Sequence, residues 1–529
     1  MLGNLVRAFR NPLSLLGIVL LCAIVLIAKQ QNYLIYLTVA QLVFVPTVVQ
    51  LIVRLKGWEQ VILALGMVAV TVLSFEPSTY GLAIVCAIGY FLATCIIAKK
   101  GLERFLNRGF TNMAEMMIDA GFLYIAIGGA WYFASVAQID TGFSPIITWL
   151  TAIHFHYSGF LLCVSLGLFG RLYTKKLYEP IALIILSGPL LVALGITFST
   201  VIEIISVTLY VLAIFVLFII TFQLRMPLMQ AISIRLTIGA LCFTIIWSFL
   251  YAYGNFSGQV IVDIPNMLDF HGKINCFVFG VFTVIGWAMN VPPSKQQAFT
   301  FPVSQIRGKL TSLGDTHLGL VDQLSDFVDT KNVRTSITHF YEQTTDYRLF
   351  ASVKWRSWFK PFAYIYQWVS RRMEQLNLPL HADVEEMTGA IHLVEEQLDT
   401  REKPRVWKRT INDQTVFVAI YSKHTTDDNT YMNIALPLPF STMIGILSLE
   451  EQHGALHLTS KGKEDAGVYL AIGQYTLKLP LEEHFTIQEK GDTLTATHDM
   501  TIFGLHFLHI DYTIRLNAIF DTEKTYKDE

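Results

Sequence analysis

The stretch FSPIITWLTAIHFHYSGFLLCVSLGL, residues 143–168, is apolar along nearly its whole length but carries two histidines. A run of this length is sufficient to cross the hydrocarbon core of a bilayer as one helix. His154 lies eleven residues from its start, about 16 Å along a helix and therefore close to the midplane of the bilayer. The run therefore predicts a membrane-spanning helix with a polar group at its centre.

The composition of the whole chain agrees with a membrane protein. Its mean hydropathy is +0.47 and only 15% of its residues are charged, against roughly 25% in soluble proteins. Apolar runs of spanning length predict ten transmembrane helices, at 13–28, 33–53, 58–75, 79–98, 114–136, 143–168, 179–198, 200–223, 234–253 and 264–289. The end of the first run, Leu26-Ile27-Ala28-Lys29, lacks the small residue that signal cleavage needs, so we expect this run to be retained.

The charged residues are distributed unevenly along the chain. Residues 1–290 contain only 15 of the 39 Lys and Arg residues, and a polar, glycine-containing segment follows. We therefore predict a transmembrane domain at 1–290, a linker at 291–334 and a soluble domain at 335–529. The six cysteines all lie in predicted spanning helices, so nothing in the chain indicates a disulfide framework.

Basic residues between the predicted spans indicate the orientation of the chain. They alternate between loops, because one side carries Arg7, Arg10, Arg54, Lys56, Lys99, Lys100, Arg104, Arg108, Arg171, Lys175, Lys176, Arg225 and Arg235, whereas the other carries Lys29. Loops rich in Lys and Arg remain in the cytoplasm. Both termini, and with them the soluble domain, are expected to be cytoplasmic.

The soluble domain shows two kinds of periodicity. Residues 335–376 and 383–400 have helical spacing, and short alternating runs from Thr415 to Leu516 predict strands of an antiparallel sheet. This order predicts an α+β domain whose sheet curls around an apolar face. Such a sheet can hold a lipid or be filled by its own side chains, and the filled interior is the commoner case.

One part of the first helical segment combines aromatic and basic residues. Within 353–372 there are three tryptophans and five basic residues, an amphipathic pattern that suits the headgroup layer of a membrane. The alternative is a helix that packs its aromatic side chains on the sheet. The residues expected at the membrane surface are Trp355, Trp358, Lys354, Arg356 and Lys360.

Ionisable residues inside the spans are the candidates for function, because each is costly to insert into a bilayer. His154 and His156 are two residues apart and so point to nearly opposite sides of a helix, and the sequence leaves open which one faces the bundle interior. The other candidates are Glu115 and Asp119 in the fifth run, Glu203 in the eighth, and Asp269, His271 and Asn275 in the tenth.

These residues fit two kinds of site. Titratable groups distributed across the bilayer fit a proton- or ion-coupled carrier. His154, His271, Glu203 and Asp269 are also of the ligand types that hold zinc or iron, but no HExxH or Glu-x-x-His signature supports a metal, and no cofactor can be assigned. Ordinary hydrogen bonding between helices is the remaining alternative.

Several of the same segments resemble the YndJ-like family of bacterial integral membrane proteins. The resemblance rests on HFHYSGF (154–160), DFHGKINCFVFG (269–280), EMMIDAGFLY (115–124), FYEQTTDY (340–347) and QLNLPL (375–380). It implies a multi-pass protein of the bacterial inner membrane and, by the usual naming of the family, a transporter. It identifies no substrate.

The leading hypothesis is therefore a membrane carrier or exporter of a lipid-like or amphipathic molecule, with the soluble domain receiving or presenting the cargo. One alternative is an intramembrane metal-dependent enzyme acting on a lipid, and another is a non-catalytic sensor or assembly factor. The chain lacks GxxxxGK[ST], GxSxG and GxGxxG motifs. Membrane lipids are the expected partners and nucleic acid is not, whereas the oligomeric state is left open.

Overall fold

A computed structural model of the protein describes residues 2–27, 33–76, 79–296, 298–310, 313–373, 375–462 and 464–517. These residues form two compact units. The first, here called the helical unit, comprises Met1–Phe105 and Asn112–Gln296, and the second, the barrel unit, comprises Leu106–Thr111 and Gln297–Glu529. Each is described by itself below.

The helical unit contains nine described helices that are long and apolar enough to cross a membrane. They are α3 (Leu34–Ile52), α4 (Gly57–Ser74), α5 (Tyr80–Leu106), α6 (Met113–Val136), α7 (Pro145–Leu172), α8 (Tyr178–Phe198), α9 (Thr200–Thr221), α10 (Leu228–Ser257) and α11 (Ile264–Met289). A tenth is formed if α1 (Leu2–Phe9) and α2 (Pro12–Ile27), bent by 69°, count as one span. The helical membrane bundle expected from hydropathy is thus confirmed, although Ala28 and Lys29 of the retained-anchor argument lie outside the described residues.

Three of these helices contain π-helical turns. They lie at Ala40–Phe44 in α3, at Phe155–Leu162 in α7, and at Leu268–Gly272 and Asn275–Gly280 in α11. The turns of α7 and α11 coincide with the two histidine-containing motifs. Because π-turns interrupt the regular helix and often occur at functional sites, they mark α7 and α11 as the elements to inspect.

The barrel unit is built on twelve described strands. They are β1 (Tyr347–Trp355), β2 (Val384–Leu393), β3 (Glu402–Ile411), β4 (Gln414–Thr426), β5 (Asn429–Leu438), β6 (Ser441–Gln452), β7 (Ala455–Thr459), β8 (Gly467–Ile472), β9 (Tyr475–Lys478), β10 (Leu481–Lys490), β11 (Thr493–Ile502) and β12 (Leu505–Leu516). The ladder runs β5-β4-β3-β2-β1-β12-β11-β10-β7-β6, and pairing of β5 with β6 closes it into a ten-stranded antiparallel barrel. β8 and β9 extend from β6 outside this ring.

This closed barrel corrects the expected α+β class. The segment 335–376, predicted as helix, divides into α12 (Thr335–Glu342), strand β1 and α13 (Lys360–Met373). Most of 383–400 is strand β2, with a short α14 (Glu396–Asp399) after it. Pairing decided the outcome, because β1 bonds to β12 along its whole length and thereby overrides a helical spacing that is only a local preference.

The segment expected to be a linker packs against the barrel where it is described. Phe301 is buried with Val406 and Tyr469, residues that lie on the outer face of the sheet or beside it. Further along, Leu320 and Leu324 are buried with the side chains that point into the barrel. Apolar side chains hidden among polar and glycine residues therefore hold this segment in place, contrary to the expected linker.

Candidate functional site

The helical unit encloses an apolar cavity, here called the membrane cavity, between helices α7 to α11. It has two overlapping parts with about 1150 Å³ and about 1120 Å³ of empty space, their open sides included. Both parts are lined by His154, Ser158, Val207, Ser248, His271 and Asn275. An apolar cavity with a few convergent polar groups is the usual form of a binding site for a small molecule.

The two histidines of α7 have different surroundings. His154 lines the membrane cavity, and its Nδ1 lies 2.6 Å from the carbonyl oxygen of Leu150. Because a carbonyl can only accept, Nδ1 carries the proton and Nε2 is the acceptor nitrogen. His156 is buried instead, with its Nε2 2.7 Å from the hydroxyl of Tyr90 and its Nδ1 2.8 Å from the carbonyl of Ala152. The structure therefore brings His154, and not His156, to the cavity.

His271 of α11 belongs to a closed set of hydrogen bonds at the cavity wall. Its Nδ1 donates to the carbonyl of Thr244 at 3.0 Å, and its Nε2 accepts from Asn275 Nδ2 at 2.9 Å. The hydroxyl of Thr244 donates to Asn275 Oδ1 at 2.9 Å. The set fixes the tautomer and orientation of His271, so the cavity wall is preorganised here.

Glu203 lines the outer part of the same cavity. Its carboxylate accepts hydrogen bonds from Asn255 Nδ2, at 3.0 Å to Oε1 and 3.3 Å to Oε2. Gly195 makes this position possible, because a Cβ on Gly195 would lie 2.5 Å from the Cα of Glu203. The close approach of α8 to α9 therefore positions an acidic side chain at the cavity, as small residues between membrane helices commonly allow.

Besides His156, three of the predicted site residues lie away from the membrane cavity. Asp269 is largely exposed and pairs with Lys273 on its own helix at 3.2 Å. Glu115 is fully buried and receives the guanidinium groups of Arg171 and Arg104 at 2.7 to 2.9 Å, as well as the backbone N–H of Lys295 at 2.8 Å.

Asp119 accepts from the same Arg104 at 2.7 Å. Glu115, Asp119, Arg104 and Arg171, here called the ion cluster, are matched in charge and closely bonded. Removing one partner of such a buried pair leaves an uncompensated charge, so the acids and arginines of the ion cluster depend on one another for their charge balance.

The four candidate metal ligands do not assemble into one site. His154, His271 and Glu203 share a cavity but are each hydrogen-bonded to a different partner, and Asp269 is paired with Lys273. In the described part of the chain, no group of three or more His, Cys, Asp or Glu residues is arranged to hold a metal ion.

The barrel unit has an apolar cavity of its own, here called the barrel lumen. It contains about 1070 Å³ of empty space, its opening included, and is lined by residues such as Trp407, Phe417, Met432, Leu447 and Ile510. The side chains that point inward therefore leave some space open inside the barrel, whereas a filled interior was the commoner of the two cases considered from the sequence. The inward positions could not be chosen before the strand register was known, because a shift of one residue reverses every side chain.

The aromatic segment does not form the single helix expected from the sequence. Trp355 belongs to strand β1, donates to the carbonyl of Pro379 and stacks on Phe359, and Lys354 pairs with Asp511 at 2.7 Å. Trp358 precedes α13 and donates to the carbonyl of His506. These residues, with Arg356, are therefore not on one amphipathic helix, which begins only at Lys360.

The helix α13 itself leaves a group of apolar side chains exposed. They are Phe362, Tyr364, Ile365 and Trp368, each more than half exposed, and Arg372 lies over the ring of Trp368 at 4.3 Å. Exposed aromatic residues beside basic ones are typical of surfaces that contact membranes.

The geometry defines a multi-pass helical membrane protein that also carries an antiparallel β-barrel. The model of the family described as YndJ-like protein matches residues 35–279. A Bacillus subtilis (strain 168) protein described as "Uncharacterized membrane protein YndJ" is 37% identical over 470 residues, which cover 82% of this chain and 85% of that protein. The chain therefore belongs to the YndJ-like family. No solved structure matches it.

Proposed function

We propose that this protein is a carrier of amphipathic molecules in the cytoplasmic membrane of a bacterium, with the membrane cavity as its transport site. The observation that supports this most is the cavity itself, which is large, mostly apolar and lined by His154, His271 and Glu203. An apolar cargo segment fits such walls, and a polar head finds hydrogen-bonding groups there.

His154 is the group through which protonation is coupled to transport. Its Nε2 is a lone-pair acceptor in a cavity, and histidine exchanges a proton close to neutral pH. His271 and Asn275 are held by their closed hydrogen bonds, so they orient the cargo and do not exchange protons during the cycle. Glu203, bonded to Asn255, provides the acidic end of the cavity.

Both termini and the barrel unit are cytoplasmic in this proposal. One support is the alternation of basic loops. The other is the bent α1–α2 pair: if it crosses the membrane once, the number of spans is ten, and an even number places both termini on the same side. A reporter fused after Glu529 should report the cytoplasm, and one inserted in the 254–263 loop should report the exterior. A reporter after Glu529 that signals the exterior would overturn this topology.

The exposed side chains of α13 contact the headgroup layer of the same membrane. Apolar Phe362, Ile365 and Trp368 enter the layer while Lys360 and Arg372 face anionic lipids. In nanodiscs with brominated lipids, the fluorescence of Trp368 should be quenched, which the difference between the wild type and Trp368→Phe would measure. If brominated lipids, compared with unbrominated ones, lowered the fluorescence of the wild type by no more than that of Trp368→Phe, α13 would lie away from lipid.

Translocation through the membrane cavity can be tested by filling it. Val207 lines the cavity, whereas Leu209, two residues later on α9, is exposed on the outside of the unit. In liposomes containing an NBD-labelled single-chain phospholipid, wild-type protein should accelerate the loss of inner-leaflet fluorescence to external dithionite. Val207→Trp should bring the rate close to that of protein-free liposomes, and Leu209→Trp should retain the wild-type rate.

If wild-type protein left the rate at that of protein-free liposomes, or if both tryptophan variants behaved alike, the proposed carrier would be rejected for this class of cargo.

A second test examines the geometry of the membrane cavity. In a background without native cysteines, the pair His154→Cys and His271→Cys should be joined by a short bifunctional thiol reagent, because both residues line one cavity. The pair His156→Cys and His271→Cys should not be joined.

A further inference from the structure

The barrel lumen contains a cluster of polar side chains in otherwise apolar surroundings. Arg409, Tyr421, Glu483, His498 and Tyr512 all line it. None of these residues is part of the membrane cavity, and the proposed carrier mechanism does not require them. Burying polar groups in an apolar interior is costly unless they have partners. A polar group of the lumen that has no partner in the protein therefore indicates the chemistry of a ligand.

Arg409 is the cation of this cluster. The centre of its guanidinium lies 4.5 Å from the ring of Trp407 and 4.3 Å from the ring of Phe417. Its Nε is buried without a hydrogen-bond partner, and Arg409 forms no ion pair among the described residues. Two aromatic faces therefore hold a cation that has no counter-ion.

Two tyrosine hydroxyls lie beside this guanidinium. Burial raises the pKa of Tyr512 and of Tyr421, and the positive charge of Arg409 acts on the pKa of both in the opposite direction. The neutral hydroxyls can donate hydrogen bonds to a group that the guanidinium attracts. Arg409 and the two tyrosines thus form one end of a potential anion site.

The carboxylate in the lumen already has a partner. Glu483 Oε2 lies 3.4 Å from Nε2 of His498, whose ring stacks on Phe485 with 3.8 Å between centroids. His498 is buried, and its Nε2 forms no hydrogen bond among the described residues. The carboxylate of Glu483 therefore lies against His498, and no carboxylate of the described residues lies within ion-pair distance of Arg409.

We infer that the barrel lumen binds a single-chain amphiphile whose anionic head, a carboxylate or a phosphate, pairs with Arg409 while its chain lies along the apolar wall. The lumen contains about 1070 Å³ of empty space, its opening included, and its wall is mostly apolar, as in pockets that take up an apolar chain. A guanidinium and an oxyanion form a strong charge-assisted pair in such surroundings. That this ligand is the cargo of the membrane cavity rests on the proposed function, whereas the binding itself is independent of it.

The test uses the full chain in nanodiscs of phosphatidylcholine and an oleate analogue that carries a diazirine in its chain. After irradiation, labelled peptides are located by mass spectrometry, and unlabelled oleate, oleyl phosphate and oleyl alcohol compete with the probe. We expect label on strands of the barrel, including β3, β4 and β12. At least one of the two anionic competitors should be about tenfold or more stronger than the alcohol, since all share one chain.

Variants at neighbouring positions of β3 assign the preference to Arg409. Arg409→Met should bring the anion-to-alcohol ratio close to one, and Arg409→Lys, which keeps a cation, should retain a preference for the anion. Lys408 is exposed on the outer face of the same strand, so Lys408→Met should behave as the wild type. Equal competition by alcohol and anions in the wild type, an unchanged ratio in Arg409→Met, or label confined to the helical unit would overturn the inference.

The outcomes separate this inference from the proposed carrier. Labelling that depends on Arg409, without phospholipid translocation, would support the lumen site and reject the carrier. Normal translocation with no preference for anions in the lumen would reject the lumen site alone.

Discussion

The helical unit and the barrel unit both enclose an apolar cavity, but they treat charge differently. In the helical unit Glu115 and Asp119 are paired with Arg104 and Arg171 in the ion cluster, and the membrane cavity is lined by His154, His271 and Glu203. In the barrel unit Asp399 and Arg401 form a matched buried pair, whereas Arg409 faces the lumen without a counter-ion.

The difference follows from the surroundings of each cavity. A permanent charge facing a cavity within hydrocarbon has a high cost, so a group that exchanges a proton is the practical choice there. In the barrel lumen the permanent cation of Arg409 lies against the rings of Trp407 and Phe417, which offset part of its desolvation. This difference is what the proposed carrier and the proposed anion site are built on.

Breaking the ion cluster should have the largest effect. Glu115→Gln leaves Arg171 and part of Arg104 buried without a matching charge, and the free energy of unfolding should fall by about 3–5 kcal/mol. Asp269→Asn, which removes an exposed pair, should cost less than about 1 kcal/mol. Thermal unfolding in detergent would compare them, and equal shifts would contradict the assignment of Glu115 to a structural cluster.

The second largest effect should be a difference in stability between variants of the two histidines of α7. His156→Phe leaves the buried hydroxyl of Tyr90 without its imidazole partner, which should lower stability by about 1–3 kcal/mol. His154→Phe should change stability by less than about 1 kcal/mol, because His154 faces a cavity with space for the ring. The melting temperatures of the two variants test this order, and a reversed order would show that His154 is the structural residue.

Arg409 should contribute little to folding although it determines binding. Arg409→Met removes a desolvated cation and keeps an apolar chain in contact with Trp407, so stability should change by no more than about 1 kcal/mol. Arg401→Met is the comparison, since it leaves Asp399 buried and unpaired and should be far more destabilising. Chemical denaturation of both variants measures their free energies of unfolding. Similar losses of stability in the two variants would contradict this prediction.

The smallest effect concerns pH. Burial alone would lower the pKa of His509, but its hydrogen bonds to Asp499 and Asp511 outweigh burial and raise the pKa above its ordinary value. The stabilisation from protonated His509 is therefore complete below about pH 6.5 and is lost as the pH rises through the raised pKa. His509→Gln should cost less than about 1 kcal/mol at pH 6 and nearly nothing at pH 9. A cost that grew with pH would contradict this sign.

The positions of the spanning helices could be predicted because hydrocarbon requires apolar segments of a fixed length. Hydropathy therefore located the nine described helices of spanning length and α2, whereas the short α1 (Leu2–Phe9) was not predicted. The grouping of His154, His271 and Glu203 on one cavity also followed the expectation that polar groups avoid lipid, although their role stays a prediction. Which histidine faces the cavity could not be predicted, since neighbouring helices decide it.

The barrel was harder to predict for a different reason. Its closure depends on β1 pairing with β12, which joins residues far apart in the chain, and no local pattern records such a contact. The position of Arg409 in the lumen was equally hard to predict. In the sequence it is one basic residue in Arg-Val-Trp-Lys-Arg, and only the register shows that it points inward with Trp407 while Lys408 points outward.

The most direct test of the central claim is the rate of phospholipid translocation in liposomes for two variants, His154→Gln and His156→Gln. Both remove an imidazole, and the glutamine at 156 can still accept from Tyr90. The account predicts that His154→Gln lowers the rate by about tenfold or more, because proton exchange in the cavity is lost, while His156→Gln keeps at least about half of the wild-type rate. Full activity of His154→Gln, or an equal loss in both variants when matched amounts of folded protein are inserted, would contradict it.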